Sequence, residues 1–187
     1  MKRTIVTRKT SLAESTQTLL NQQVGMESNS SSYYLAAASW CEKEGYENAA
    51  AYLYRHAEEE RSHMMKIFQY INQAGGHALA PNLSDIRHHY TSLREVFEEA
   101  LEHELAVTRS INDIADQCFK TKDFATFQFL QWFVIEQREE EVLSRRALEL
   151  FDVIGEEAKG RWISDQESGK LDTAAANSAM TDLGTAI

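Results

Sequence analysis

Apolar side chains recur along this chain at steps of three and four over four long stretches, and almost nowhere at the alternation of two that marks a half-buried strand. Glycine and proline, eight and one among 187 residues, fall in few places and delimit those stretches. The pattern predicts a first helix from about Ser15 to Lys43, ending before Gly45, and a second from about Asn48 to the Gly75-Gly76 pair. A third is expected over about Ser92 to Lys120 and a fourth over Phe124 to Ile154. A shorter amphipathic piece, Glu156 to Ser168, follows Gly155. Between the second and third helices lies HALAPNLSDIRHHYT, too polar and irregular for a helix. It is long enough to cross the length of a bundle, so that these two helices can run parallel instead of as a hairpin. The end, LDTAAANSAMTDLGTAI, is weakly patterned and reads as a tail over 169–187. Four helices of nearly thirty residues, each about 40 Å long at about 1.5 Å per residue, describe an all-α four-helix bundle over about 15–154. With the long crossover and the short fifth helix they make a single domain spanning 1–187.

The inward stripes carry an anomaly. The first helix gives Leu20, Val24, Glu27, Ser31, Tyr34 and Ala38, and the second Leu53, His56, Glu60, His63, Ile67 and Ile71. The third gives Phe97, Leu101, Glu104, Thr108, Ile111 and Ala115, and the fourth Leu130, Phe133, Gln137, Glu140, Ser144, Ala147 and Phe151. Each stripe is apolar at its ends and carries a carboxylate near its middle. A carboxylate buried without a partner is costly, and no stripe supplies Lys or Arg, so metal cations are the expected counter-charge. Taken singly, each feature has an ordinary reading: Glu-x-x-His is frequent on helices, and the runs Glu58-Glu59-Glu60 and Glu139-Glu140-Glu141 are solvated faces in most proteins. Tyr34 alone is core packing, and Met64 and Met65 fill gaps. Their coincidence changes this. One Glu on each of two helices, with an i, i+3 pair on each of the other two, is the layout of a carboxylate-bridged two-metal site.

Composition narrows the partners. With 43% hydrophobic and 26% charged residues the chain is folded, not disordered. A formal charge of −10 disfavours nucleic acid and anionic membranes and suits cations. No stretch approaches the length of a membrane span, and the basic start MKRTIVTRKT is followed by no apolar run, so a cytoplasmic location is expected. Cys41 and Cys118 lack the paired spacing of disulfide or zinc frameworks, which fits a reducing compartment.

Hard carboxylates with one imidazole suit Fe(II) or Mn(II) over copper. The charges of Glu27, Glu60, Glu104 and Glu140 would be neutralised by two divalent cations, and the empty site should hold some carboxyl pKa values high and release protons on metal entry. Two Fe(II) ions about 3.5 to 4 Å apart can deliver two electrons to O2 together.

Over nearly all its length the chain resembles the bacterial non-haem ferritins, through YYLAAASW after Glu27, AAAYLYRHAEEERSHM, the His103-Glu104 pair and FQFLQWFVIEQREEE. The resemblance implies a hollow homo-oligomeric shell of twenty-four subunits that oxidises Fe(II) with O2 or H2O2 and stores ferric mineral inside. It implies that Glu27, Glu60 and His63 hold a first iron and Glu104 and Glu140 a second, with Glu60 bridging and Gln137 close to the second ion. Glu59, Glu136 and Glu139 match an adjacent third iron position that shares Glu140; by themselves they read as surface glutamates. Tyr34 matches a tyrosine kept near the diiron centre, and the short helix around Trp162 would line a fourfold axis. Asp123 lies where ferritins form threefold channels, but Lys120 and Lys122 flank it.

Gln137 separates two relatives. A second Glu-x-x-His on the fourth helix would give two similar, permanently occupied sites, as in bacterioferritin and other diiron-cofactor oxidases. An amide there is a poor neutral ligand, so the second iron should be held weakly and its product leave. No methionine is placed for haem, and none is expected. A rival from another class is a non-catalytic helical assembly protein whose acidic stripes are solvated.

Overall fold

Four long helices and one short one form in a computed structural model, which describes residues 10–155 and 158–171, without the side chains of 158, 159 and 162. They are α1 (Glu14–Glu44), α2 (Glu47–Gln73), α3 (Leu93–Thr121), α4 (Phe124–Ile154) and α5 (Ala158–Ser168). No strand occurs among the described residues, and no described helix is long and apolar enough to cross a membrane. Expectations for the tail from 172 onward, for 156 and 157, and for the Trp162 side chain lie outside the described residues.

Local chemistry sets the ends. At Gly45 the backbone turns left-handed (φ 85°), and its amide reaches back to the carbonyls of Cys41 and Glu42, a conformation costly for any residue with a Cβ. Ser92 caps α3 by accepting from the Glu95 amide (3.1 Å), and the Glu95 carboxylate accepts from the Thr91 amide (2.6 Å). Asp123 caps α4 by accepting from the Thr126 amide (3.0 Å) and hydroxyl (2.7 Å).

Directions follow from cross-helix bonds. Ser31 donates to the Ala57 carbonyl (2.7 Å), and Tyr54 donates to Glu42 (2.9 Å), so α1 and α2 are antiparallel. Thr108 donates to Glu141 (2.7 Å), and Arg94 pairs with Asp152 (2.7 Å), so α3 and α4 are antiparallel. Tyr70 stacks on Phe129 (3.9 Å) while His63 meets Phe133 (6.0 Å), which sets α2 against α4. Both α2 and α3 therefore oppose α4 and run parallel to each other, as the crossover over 74–92 requires. Asn21 and Gln17 of α1 hold the start of that crossover at His77 and Leu79, and Tyr90 at its far end packs edge-on against Trp40 (5.5 Å).

The stripes of α2 and α4 are buried as expected. On α3 the buried line runs through Phe97, Ala100, Glu104, Val107, Ile111, Ile114 and Cys118, while Leu101, Thr108 and Ala115 are only half-buried. α3 is thus turned by about half a position from the expected stripe, keeping Phe97, Glu104 and Ile111 inside. The apolar core is in two parts. One, around Leu20, Val24, Ile67, Ile111 and Phe133, fills the α1 N-terminal half; the other, around Tyr34, Leu53, Phe97, Ala147 and Phe151, fills the opposite half.

The short fifth helix also completes a cap. Tyr46, at the N-terminus of α2, offers no side-chain cap, and the Asp165 carboxylate of α5 accepts from the Ala49 amide (2.9 Å) and the Asn48 side chain (2.9 Å) instead. Asp165→Ala should therefore cost about 1–2 kcal/mol and free the Ala49 amide to exchange with solvent. Hydrogen exchange and thermal melting of the variant test this; an unchanged Ala49 exchange rate would contradict it.

Candidate metal centre

The polar layer between the two apolar halves is built from one or two turns of each long helix. α1 brings Gln23, Glu27 and Tyr34; α2 brings His56, Glu60 and His63; α3 brings Glu104; α4 brings Gln137 and Glu140. All are buried. Ligand-type atoms of Glu27, Glu60 and His63 lie within 4.8 Å of one another. Within that triad Glu27 Oε2, Glu60 Oε2 and His63 Nδ1 have no hydrogen-bond partner, and His63 Nδ1 stands 3.6 Å from Glu60 Oε2. Buried oxygen and nitrogen atoms left without a partner in one cluster fit a cation.

Neutral donors orient the rest. Gln23 donates to Glu27 Oε1 (2.8 Å), Tyr34 donates to Glu104 Oε1 (2.6 Å), and Gln137 donates to Glu104 Oε2 (3.1 Å). Tyr34 is thus more than packing, because its hydroxyl holds a carboxylate. His56 Nδ1 lies 3.6 Å from Glu140 Oε2, with its ring against Tyr52 and Tyr34. Gln23 went unnoticed in the sequence, although its i, i+4 spacing to Glu27 was the available signal; His56 stood on the stripe without a role.

Electrostatics follow from the burial. The Glu27 carboxyl is held well above the usual carboxylate range, first by burial and then by the Glu60 charge. Glu60 is raised likewise, first by burial and then by Glu104, with Glu140 adding to it. Burial, then Glu104, pushes the Tyr34 hydroxyl upward.

Toward the surface, Glu59, His63 and Glu136 form a second triad within 4.8 Å, and His56, Glu59 and Glu140 a third. Glu59 and Glu136 are half-buried, and burial raises Glu136, with Glu59 and Glu139 adding to it. Glu139 itself is exposed and joins none of these triads. Of two neighbours one differs from expectation. Glu58 is exposed as a solvated glutamate should be, but Glu141 is half-buried, accepts from Thr108 and Arg145 (2.7 Å each), and is lowered by Arg145 first. Both cysteines are free and buried.

A family model described as a ferritin-like domain matches residues 17–154. The chain belongs to the ferritin family. A probable bacterial non-heme ferritin-like protein of Haemophilus influenzae is 41% identical over 164 residues, covering 88% of this ferritin and 99% of the relative. The bacterial non-heme ferritins of Campylobacter jejuni and Escherichia coli are 38% and 37% identical, with 79% and 82% of this chain and 89% and 93% of theirs covered. A crystal structure of an open pore ferritin from the archaeon Archaeoglobus fulgidus superposes with a TM-score of 0.82 at 31% identity, over 85% of this chain and 97% of that one. At the α3–α4 corner of this ferritin, the Asp123 carboxylate is taken up by the α4 cap and Lys120 pairs with Asp116.

The raised carboxyls give a linkage with a definite sign. A carboxyl whose folded pKa exceeds its unfolded value contributes stability that is complete below the ordinary carboxylate range and is lost as pH rises through the folded value. Relative to Glu60→Gln, the metal-free protein should lose melting temperature as pH rises above the ordinary carboxylate range, and a divalent cation should restore it with proton release. Thermal melts and a pH-stat titration check this, and a wild-type slope no steeper than that of Glu60→Gln would contradict it.

Proposed function

We propose that this chain is an iron-storage ferritin with ferroxidase activity: it oxidises Fe(II) with O2 or H2O2 at the buried centre and keeps the ferric product as mineral inside a closed shell of its own copies, twenty-four in the arrangement the resemblance implies. The observation that carries the reading is the set of orphaned atoms on Glu27, Glu60 and His63 in a core whose polar layer holds four carboxylates and, among the described residues, no Lys or Arg. Glu27, Glu60 and His63 take one Fe(II), and Glu104 and Glu140 take the other. Glu60 is the shared ligand, the role the resemblance implies, and it stands in the triad with Glu27 and His63. Two Fe(II) ions then give one electron each to O2, which takes them up with two protons at the peroxide level; protons driven off the raised carboxyls by metal entry are on hand.

Gln137 tunes the second ion. Its amide nitrogen is spent on Glu104, so it adds at most a neutral oxygen where a histidine would bind firmly. Weak holding suits iron in transit to a mineral. Glu59 and Glu136, with Glu140 reached through Glu59, support an outer third position on that path, and Glu139 stands on its exposed side. The location is cytoplasmic, no haem takes part, and the repeating unit is one ferritin-like domain.

Anaerobic Fe(II) titration followed by air, read as ferric absorbance, and iron retained per assembled particle test the reading together. Glu60→Ala should abolish rapid oxidation. His63→Ala should weaken one ion first, by more than about a hundredfold, beyond what loss of an outer-shell partner costs. Wild-type rates in both variants, or a particle no larger than a dimer by light scattering, would overturn the assignment.

A further inference from the structure

Lys66 stands one turn after His63 on α2, and Trp132 stands one turn before Glu136 on α4. These spacings put both on the surface side of the Glu59–His63–Glu136 triad. The Lys66 Nζ sits 2.9 Å from the centre of the Trp132 indole, and the same ring meets His63 edge-on with 5.2 Å between centroids. Both Glu136 and Glu59 act on the Lys66 ammonium, opposing the downward push of its partial burial, and Lys66 in turn opposes the rise of Glu136.

We propose that Lys66 is the built-in counter-ion of the outer cation position, parked on Trp132 while the position is empty and displaced when a divalent cation enters. The inference rests on the outer position proposed above. An ammonium offsets part of the negative charge of two half-buried carboxylates, and a divalent ion entering between them meets it as a like charge. Lys66 is exposed and carries its charge on a flexible four-carbon stem, so it can swing into solvent without disturbing α2. The indole face gives the ammonium a defined resting place, because the ring quadrupole attracts a cation. Lys66 therefore sets how strongly the outer position holds a metal, and keeps that hold weaker than the carboxylates alone would make it. For iron on its way to a mineral, this favours release over retention. Trp132, 37% exposed, then reports occupancy of the outer position through the loss of its cation contact.

The test is a Zn(II) titration of the assembled, metal-free protein by calorimetry and tryptophan emission, since Zn(II) is closed-shell and undergoes no redox change. Trp132→Phe isolates the Trp132 share of the emission from the three tryptophans of the chain. Lys66→Gln should bind the outer Zn(II) about tenfold more tightly, the order expected from one screened charge–charge interaction and one cation–π contact. Lys66→Arg should stay near wild type. The emission change that accompanies the outer ion should be smaller in Lys66→Gln than in wild type, since the part that reaches Trp132 through His63 remains. Equal outer affinity in wild type, Lys66→Gln and Lys66→Arg, or an emission change of wild-type size in Lys66→Gln, overturns the role of Lys66. The double variant Glu59→Gln/Glu136→Gln separates the two layers of argument. Loss of one Zn(II) per subunit there upholds the outer position whatever Lys66 does, and unchanged stoichiometry removes the position and the role of Lys66 with it.

Discussion

The mutual repulsion of Glu27, Glu60, Glu104 and Glu140 in the middle of the bundle is the constraint around which everything else is arranged. Four carboxyls out of water, with no Lys or Arg among the buried residues of their layer, oppose folding through desolvation and like charge together. The chain tolerates this because the layer is thin. Apolar packing continues on both sides of it, with Leu20, Ile67, Ile111 and Phe133 at one end and Leu53, Phe97, Ala147 and Phe151 at the other. Holding protons at Glu27 and Glu60 relieves part of the remaining cost, and a metal replacing those protons relieves more. The strain of the empty layer and its appetite for cations are one free energy seen from two sides.

Neutral groups do the orienting within that layer. Gln23, Tyr34 and Gln137 each donate to a carboxylate oxygen, fixing its direction while leaving its charge for a cation. A Lys or Arg in their place would satisfy the carboxylate and close the site. The arrangement changes toward the surface, where Glu59 and Glu136 are half-buried and an ammonium is near. Among the described residues no Lys or Arg stands in the buried layer, whereas at the rim Lys66 acts on both glutamates.

The periphery makes the layer geometrically possible. Because α2 and α3 run parallel, Glu60 and Glu104 approach the centre from helices that no short hairpin could join, and the crossover over 74–92 has to be tied down along α1. Asn21 and Gln17 do so at its start, and Tyr90 against Trp40 and Tyr33 at its end. At the end of the bundle, α5 docks by lending Asp165 to the uncapped start of α2, so a short and polar helix gains a fixed place from one carboxylate.

Much of this was legible in the chain itself. Helix limits came within a residue or two because Gly45, Gly75-Gly76 and Gly155 break a 3.6-residue period that is otherwise unbroken, and that period also put Glu27, Glu60, His63, Glu104, Gln137 and Glu140 on inward stripes. Periodicity is a property of one helix at a time, so it could not fix how each helix is rotated against the others. That rotation buries Ala100 and Val107 in place of Leu101 and Thr108. It also separates Glu59 and Glu136, which face each other, from Glu139, which does not join them, and gives Glu141 to Thr108 and Arg145. Lys66 with Trp132, and Asp165 as the cap of α2, were invisible for the same reason, since each acts on a different helix. Gln23 is the exception, because its bond to Glu27 follows from spacing on one helix. The sequence determined which carboxylates leave water; the packing of helix against helix decided which atoms they meet there, because hydrogen bonds and ion pairs depend on ångström distances that no spacing along a single chain encodes.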